Sequence, residues 1–295
     1  MIYIILAINT MFLMNEKKRL LVCCEMDIPS VNMKNQLLKK RVWEKIGSNG
    51  NDTFFMNEDA AVITTPDLHI RLEDLDERID KAGIEVDEVV FMSKHSASSG
   101  EAALTVHPIG NFHENKFGGK EKALVRSNPA LMTDALRRIA RYNDLEDFRV
   151  CFEVTHHGPW LKRPTFFIEI GSDERNWGNE RAADILTDVL LDMELNDYDT
   201  AVGVGGGHYA PRFTEVALGY RINFGHMLPN YQMEGRDDED IIRMVNDACS
   251  ASDTKLVYIH RKSMKGPEER RVSELIRSAG YEQITSSDLD RISES

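Results

Sequence analysis

The residues best suited to chemistry in this chain are its nine histidines. Seven of them fall between positions 95 and 226, and most sit beside glycine, proline or serine. The segments are Ser93-Lys94-His95-Ser96, Glu153-Val154-Thr155-His156-His157-Gly158-Pro159, Gly205-Gly206-Gly207-His208 with Arg212, and Gly225-His226. Imidazole transfers protons near neutral pH and binds borderline metals. Three of these segments directly follow apolar runs that read as buried strands, and the loops at strand ends are where an α/β scaffold carries its working residues. The pattern points to a hydrolase with a histidine-lined site.

Each segment also has a purely structural reading. Adjacent histidines on extended backbone face opposite ways, so His156 and His157 share a ligand only if the chain turns there; otherwise they are solvated loop residues. The three glycines before His208 leave bare N–H groups that suit a phosphate or a developing oxyanion, or they make a tight turn around a packed histidine. They form neither a dinucleotide fingerprint nor a P-loop. Ser96 and His95 diverge and make no dyad by themselves, although Ser96 or Ser98 could meet a histidine from another loop. No GxSxG elbow is present, which argues against an ordinary serine esterase. His107 and His226 are further turn histidines, either of which could complete a metal set. With no HxH, HExxH or CxxC spacing, such a set must be assembled from distant loops. His69, His113 and His260 read as structural or exposed.

The elements that must position these loops alternate. Strands are expected at 19–24, 61–64, 88–93, 103–107, 149–155, 165–170, 200–204, 220–224 and 255–260. Helices are expected at 31–45 (with Ser30 as N-cap), 72–82, 129–142, 179–195, 238–248 and 268–279. Such alternation implies an α/β fold with a mixed, largely parallel sheet covered on both faces, organised as one three-layer domain over 15–295. Residues 1–14 are apolar and read as an N-terminal extension. They lack a basic start and a cleavage site, and they are too short to span a bilayer as a helix.

The net charge of −13 excludes a general polyanion binder. A nucleic-acid partner would need a local basic face. Candidates are Lys116, Lys120, Lys122 and Arg126, then Arg137, Arg138 and Arg141, and the stretch 255–271, where six basic side chains meet two acidic ones. Such runs also occur as solvated faces. Four cysteines without CxxC spacing read as buried, reduced thiols in a cytosolic protein.

In order along the chain, SKHSASSGEAALTVHPIGNF, FEVTHHGP, FFIEIGS, GVGGGHYAPRFTEVAL and INFGHMLP resemble the archaeal and plant type of D-aminoacyl-tRNA deacylase. The likeness runs from about Lys18 to beyond His260. It implies hydrolysis of the ester between a D-amino acid and the terminal ribose of tRNA. It also implies dependence on zinc, a cytoplasmic setting and a single-domain fold akin to phosphorylases and peptidyl-tRNA hydrolases; no membrane is expected, and no stable protein partner is implied. The family motifs fall on His95, Ser96, Glu153, His156, His157, Gly205 to His208, Arg212 and His226. On chemical grounds His95, Ser96, Glu153, His157 and His208 are the expected catalytic groups. Lys94, Gly205, Gly206, Gly207 and Arg212 are expected to bind substrate, and His156, His157, His208 and His226 to hold zinc. Two other readings stay open: a metal-dependent peptidase, amidase or phosphorylase-like enzyme, and a noncatalytic RNA-binding protein.

Overall fold

The computed structural model describes residues 18–292; the proposed extension at 1–14 lies outside them. Its larger sheet has eight strands in the order β2 (Glu44–Asn49), β3 (Asp52–Met56), β4 (Ala60–Thr65), β1 (Arg19–Cys24), β5 (Glu88–Lys94), β10 (Thr165–Gly171), β6 (Ala103–Pro108) and β9 (Arg149–Phe152). The centre, from β4 through β10, is parallel. β6 runs antiparallel to β10, and β2–β3–β4 form an antiparallel meander at one edge. A second, four-stranded sheet is wholly parallel, in the order β12 (Ile222–Leu228), β11 (Asp199–Val204), β13 (Leu256–Ile259), β14 (Glu282–Ile284). A two-residue pair, β7 (Gly110–Asn111) with β8 (Ala123–Leu124), closes a loop near the site.

The apolar runs that signal strands are buried on both faces, as parallel strands under helices must be. Along β1, Leu21 and Cys23 join one hydrophobic cluster while Leu20 and Val22 join another on the opposite face. The first cluster continues through Leu136 and Ile139 of the helix Pro129–Tyr142 to Phe224 and Met227 of β12. One core therefore joins the two sheets. That helix begins where its sequence says, with Pro129 in the first turn and Asn128 accepting from the Leu131 N–H.

Several elements differ from expectation. The first helix is Ile28–Lys40, capped by Asp27 and not by Ser30. The Asp27 carboxylate accepts from the Ser30 N–H, and this pulls the helix start three residues earlier. The hairpin β2–β3 and the helix Pro211–Gly219 carried no periodicity strong enough to predict. All four cysteines are buried and free. Among the described residues no helix is long and apolar enough to cross a membrane.

Candidate active site

The chain from Arg149 onward begins as β9 in the larger sheet and then runs across to the smaller one. There the Val154 N–H donates to His208 O and the Thr155 N–H to Met227 O, and Glu153 bridges to Tyr209. The stretch that carries Glu153, His156 and His157 thus lies at the seam between sheets. Glu153 is fully buried. Its Oε2 accepts from His208 Nε2 at 2.9 Å and lies 3.7 Å from His156 Nε2, while Oε1 is 3.1 Å from His95 Nδ1. Burial alone would raise the Glu153 pKa, but His208 and His95 outweigh it and hold the carboxyl well below its usual range.

A second buried carboxylate, Glu169, stands in the middle of β10. In register, Glu169 faces Thr105 and Phe167 faces His107. Glu169 Oε2 is 3.6 Å from His107 Nε2 and 3.7 Å from His95 Nδ1. Burial pushes His95 down, but the two carboxylates reverse this and raise it to about 11. His95 is therefore a fixed cation, and its Nε2–H is 2.8 Å from Tyr209 Oη. Its ring lies so close over Gly171 that a Cβ there would come within 2.7 Å of His95 Cδ2.

His156 and His157 do share one site, because the chain turns between them. His157 takes φ of 41°, a left-handed conformation rare for a residue other than glycine. The two ring centroids lie 4.4 Å apart, and His107 stacks on His156 at 4.1 Å. In each of these three histidines Nδ1–H donates to a backbone carbonyl. His107 donates to Pro108 at 3.2 Å, His156 to Val154 at 2.7 Å and His157 to Gly158 at 2.7 Å. This fixes the tautomer of His156 and His157 and leaves each Nε2 as a lone-pair donor; burial opposes charge on His107, but Glu169 beside its Nε2 outweighs this and raises that ring above its ordinary value. Burial and the neighbouring imidazoles lower His156 well below its ordinary value and bring His157 to about 4, so both are neutral. One ligand atom from each of the three comes within 4.8 Å of the others; His95, Glu153 and His208 make a second such group, and His107, Glu153 and Glu169 a third. Two buried side-chain atoms that border this cluster, Thr105 Oγ1 and His107 Nε2, lack a hydrogen-bond partner among the described residues, and Glu153 Oε1 has its 3.1 Å ion pair with His95 in place of one.

A cleft of about 430 Å³ opens over these groups, lined among others by Lys94, His95, Ser96, His156, His157 and His208. Ser96 is exposed at its rim, and Lys94 Nζ rests 4.6 Å from the Trp177 ring. The other expected site residues lie elsewhere. His226 is fully buried, with Nε2–H donating to Val125 O at 2.8 Å and Nδ1 3.0 Å from Thr155 Oγ1, so neither nitrogen is free for a metal. The N–H groups of Gly205 and Gly206 are taken by Leu228 O and Ser263 Oγ, which removes them as oxyanion donors; a Cβ at Gly207 would meet nothing within 4 Å. Arg212 faces a different cavity, where Tyr258, Ser286 and Glu215 hold its guanidinium. Arg137, considered for an RNA face, is turned inward onto the carbonyls of Ala217, Tyr220 and Ile222.

Two members escaped the sequence reading as site residues, Glu169 and Tyr209; His107, weighed there as one of two histidines that could complete a metal set, joins them. A lone carboxylate inside the apolar run FFIEI was the available signal for Glu169, since an unpaired charge is not buried there without a partner. His69, read as a bystander, lines the cleft wall. Burial lowers its pKa to about 3, which keeps the ring neutral, and its Nε2 accepts from the Cys24 N–H.

The D-aminoacyl-tRNA deacylase family profile matches residues 82–284. A D-aminoacyl-tRNA deacylase of Methanosarcina acetivorans is 33% identical over 93% of this chain and 94% of its own length. A crystal structure described as a conserved protein of unknown function superposes with a TM-score of 0.84 at 32% identity, covering 94% of this chain and 99% of that one. Uridine phosphorylase from Schistosoma mansoni aligns at a TM-score of 0.40 and 7% identity over 60% of this chain and 87% of that one, too slight a likeness to build on.

Proposed function

The chain belongs to the D-aminoacyl-tRNA deacylase family, and from that premise we propose that its buried histidine–glutamate cluster hydrolyses the ester of D-aminoacyl-tRNA. The products are free D-amino acid and tRNA ready for correct charging, a translation quality-control reaction of the cytoplasm. The observation that carries this reading is the Glu153–His208 pair at the cleft. Glu153 accepts the Nε2–H of His208, which leaves Nδ1 of His208 to take a proton from water. His208 is partly exposed and lines the cleft, as a general base must.

The water oxygen bonds to the ester carbonyl carbon as its proton passes to His208. Collapse then breaks the bond to the ribose oxygen, and the same imidazolium returns the proton to it. Glu153 orients the ring and offsets its transient charge, the role of the acid in a Ser–His–Asp triad. His95, cationic and tied to Tyr209, keeps Glu153 ionised while the cleft is closed by substrate. Lys94 at the rim suits the phosphate of the incoming end.

Zinc is part of the proposal. The donor set suits it: one ring nitrogen from each of His107, His156 and His157 lies within 4.8 Å of the others, and each Nδ1–H is anchored on a backbone carbonyl. The orphaned Nε2 of buried His107 is the kind of atom that a ligand bond satisfies. When bound there, zinc would supply Lewis-acid polarisation of the carbonyl and a more acidic water. His208 belongs on this reading to proton transfer, and His226 to the core.

The test is incubation with D- and L-tyrosyl-tRNA, with and without a chelator. Release of D-tyrosine in preference to L-tyrosine is expected, and no release of D-tyrosine overturns the assignment. Activity that persists after verified zinc removal overturns the metal role alone. His208→Ala is expected to lower kcat by about a hundredfold or more with the fold intact.

A further inference from the structure

Resting on the deacylase reading, we propose that a second lobe of the cleft binds the 3′-terminal nucleotide of tRNA, with its base stacked on Phe117. The substrate is two bodies joined by the scissile ester, so the catalytic groups must stand between two subsites. A second cavity of about 340 Å³ adjoins the 430 Å³ cleft, lined by Asn111, His113, Lys116, Gln232 and Arg236 among others. The two cavities share three lining residues, His156, His157 and Phe117. Two of these belong to the cluster expected to meet the ester. The third is an aromatic ring on the boundary.

Phe117 is 66% exposed, and it is the one phenylalanine classed as exposed among the described residues. A loose loop is not the reason. Its carbonyl accepts from the Gly158 N–H at 3.0 Å, and Asn111 Nδ2 donates to Gly118 O at 2.9 Å. The Gly119 N–H donates to Glu73 at 2.6 Å. Gly118 has φ of 77°, and a Cβ there would collide with the Ile70 carbonyl. Lys120 caps the Trp160 ring at 3.2 Å. The backbone is clamped, yet the ring is left in water at the junction of the cavities.

A rigid exposed ring offers a face that any nucleobase can use, and stacking of this kind dominates recognition of single-stranded ends. Lys116 and Arg236 supply positive charge in the same lobe. They are balanced in part by Glu114, 2.9 Å from Lys116, and by Asp240, 3.8 Å from Arg236. That suits one phosphate and not a duplex. The amino acid then occupies the cleft beside His95 and His208.

Binding of adenosine 5′-monophosphate to the full chain, followed by NMR, and KM for D-tyrosyl-tRNA test this directly. Adenosine monophosphate should bind and compete with the tRNA ester. Phe117→Ala should weaken its binding and raise KM about tenfold. Phe117→Leu, which keeps bulk without a ring, should behave like alanine, and Phe117→Trp should restore both values. Unchanged binding and KM in Phe117→Ala, or full rescue by leucine, would overturn the stacking role. Phe117-dependent nucleotide binding in a protein that releases no D-tyrosine would sink the deacylase reading and leave the nucleotide lobe standing.

Discussion

The histidines divide by what surrounds each ring. His95 sits between two carboxylates and is cationic; His156 and His157 sit among other imidazoles and are neutral. His226 is the simplest case. Burial lowers it to about 4, against a smaller raising effect from the Val125 carbonyl. A histidine held neutral contributes stability that is fully present above its unfolded pKa, roughly 6.5, and is lost as pH falls toward the folded value. The slope is about 1.4 kcal/mol per pH unit, on the order of 3 kcal/mol over the whole window. His226→Gln should therefore be less stable than the parent at pH 7, with a shallower fall in melting temperature between pH 7 and 4.5. Parallel pH curves would show that this ring does not stay neutral in the fold. Zinc stoichiometry should be unaffected by His226→Gln and lost in His157→Ala.

At the scale of elements, the apolar runs that became β1, β5, β10, β11 and β13 were legible, because a parallel strand buried on both faces leaves an unbroken signature. So was the helix Pro129–Tyr142, with proline at its start. The hairpin β2–β3 was not: β2 is the sheet's edge strand and largely exposed, and Lys45 to Gly47 carries an irregularity in register. The site was half legible for a related reason. Loop histidines announce themselves by their glycine neighbours, whereas Glu169 lies inside a strand and looks like core until the cross-strand register sets it diagonally from His107. The turn at His157 depends on φ, which no residue type declares. Asp27 shows how an element end serves the site. It caps the helix Ile28–Lys40 through the Ser30 N–H and also accepts from the Lys94 N–H at 3.0 Å, tying that helix to the end of β5. Asp27→Ala should cost about 1–2 kcal/mol in stability, read from denaturant unfolding, and should raise KM through the loosened Lys94–His95 segment. A loss of stability with KM unchanged would separate the cap from the site.

At the scale of the molecule, a chain of net charge −13 must accept a polyanion. The basic stretches do not add up to a broad RNA face: Arg137 is internal, Arg138 pairs with Asp134, and Arg271 pairs with Asp238 and Glu268. What remains near the cleft is sparse, chiefly Lys94, Lys116 and Arg236. Such a surface suits a short footprint on the acceptor end, with the body of the tRNA left in solvent. Each phosphate neutralised contributes a slope of roughly −0.7 to −0.9 in log affinity against log salt. A footprint of two or three phosphates therefore predicts a total slope of about −2. Kinetics of D-tyrosyl-tRNA hydrolysis between 50 and roughly 300 mM potassium chloride measure it, since weak binding makes kcat/KM follow affinity. An aminoacylated acceptor-stem fragment should then be hydrolysed within a few-fold of the full tRNA. A slope steeper than about −5, or a hundredfold loss on the fragment, would mean that an extended face exists and that the acidic surface is bridged by contacts far from the histidine seam.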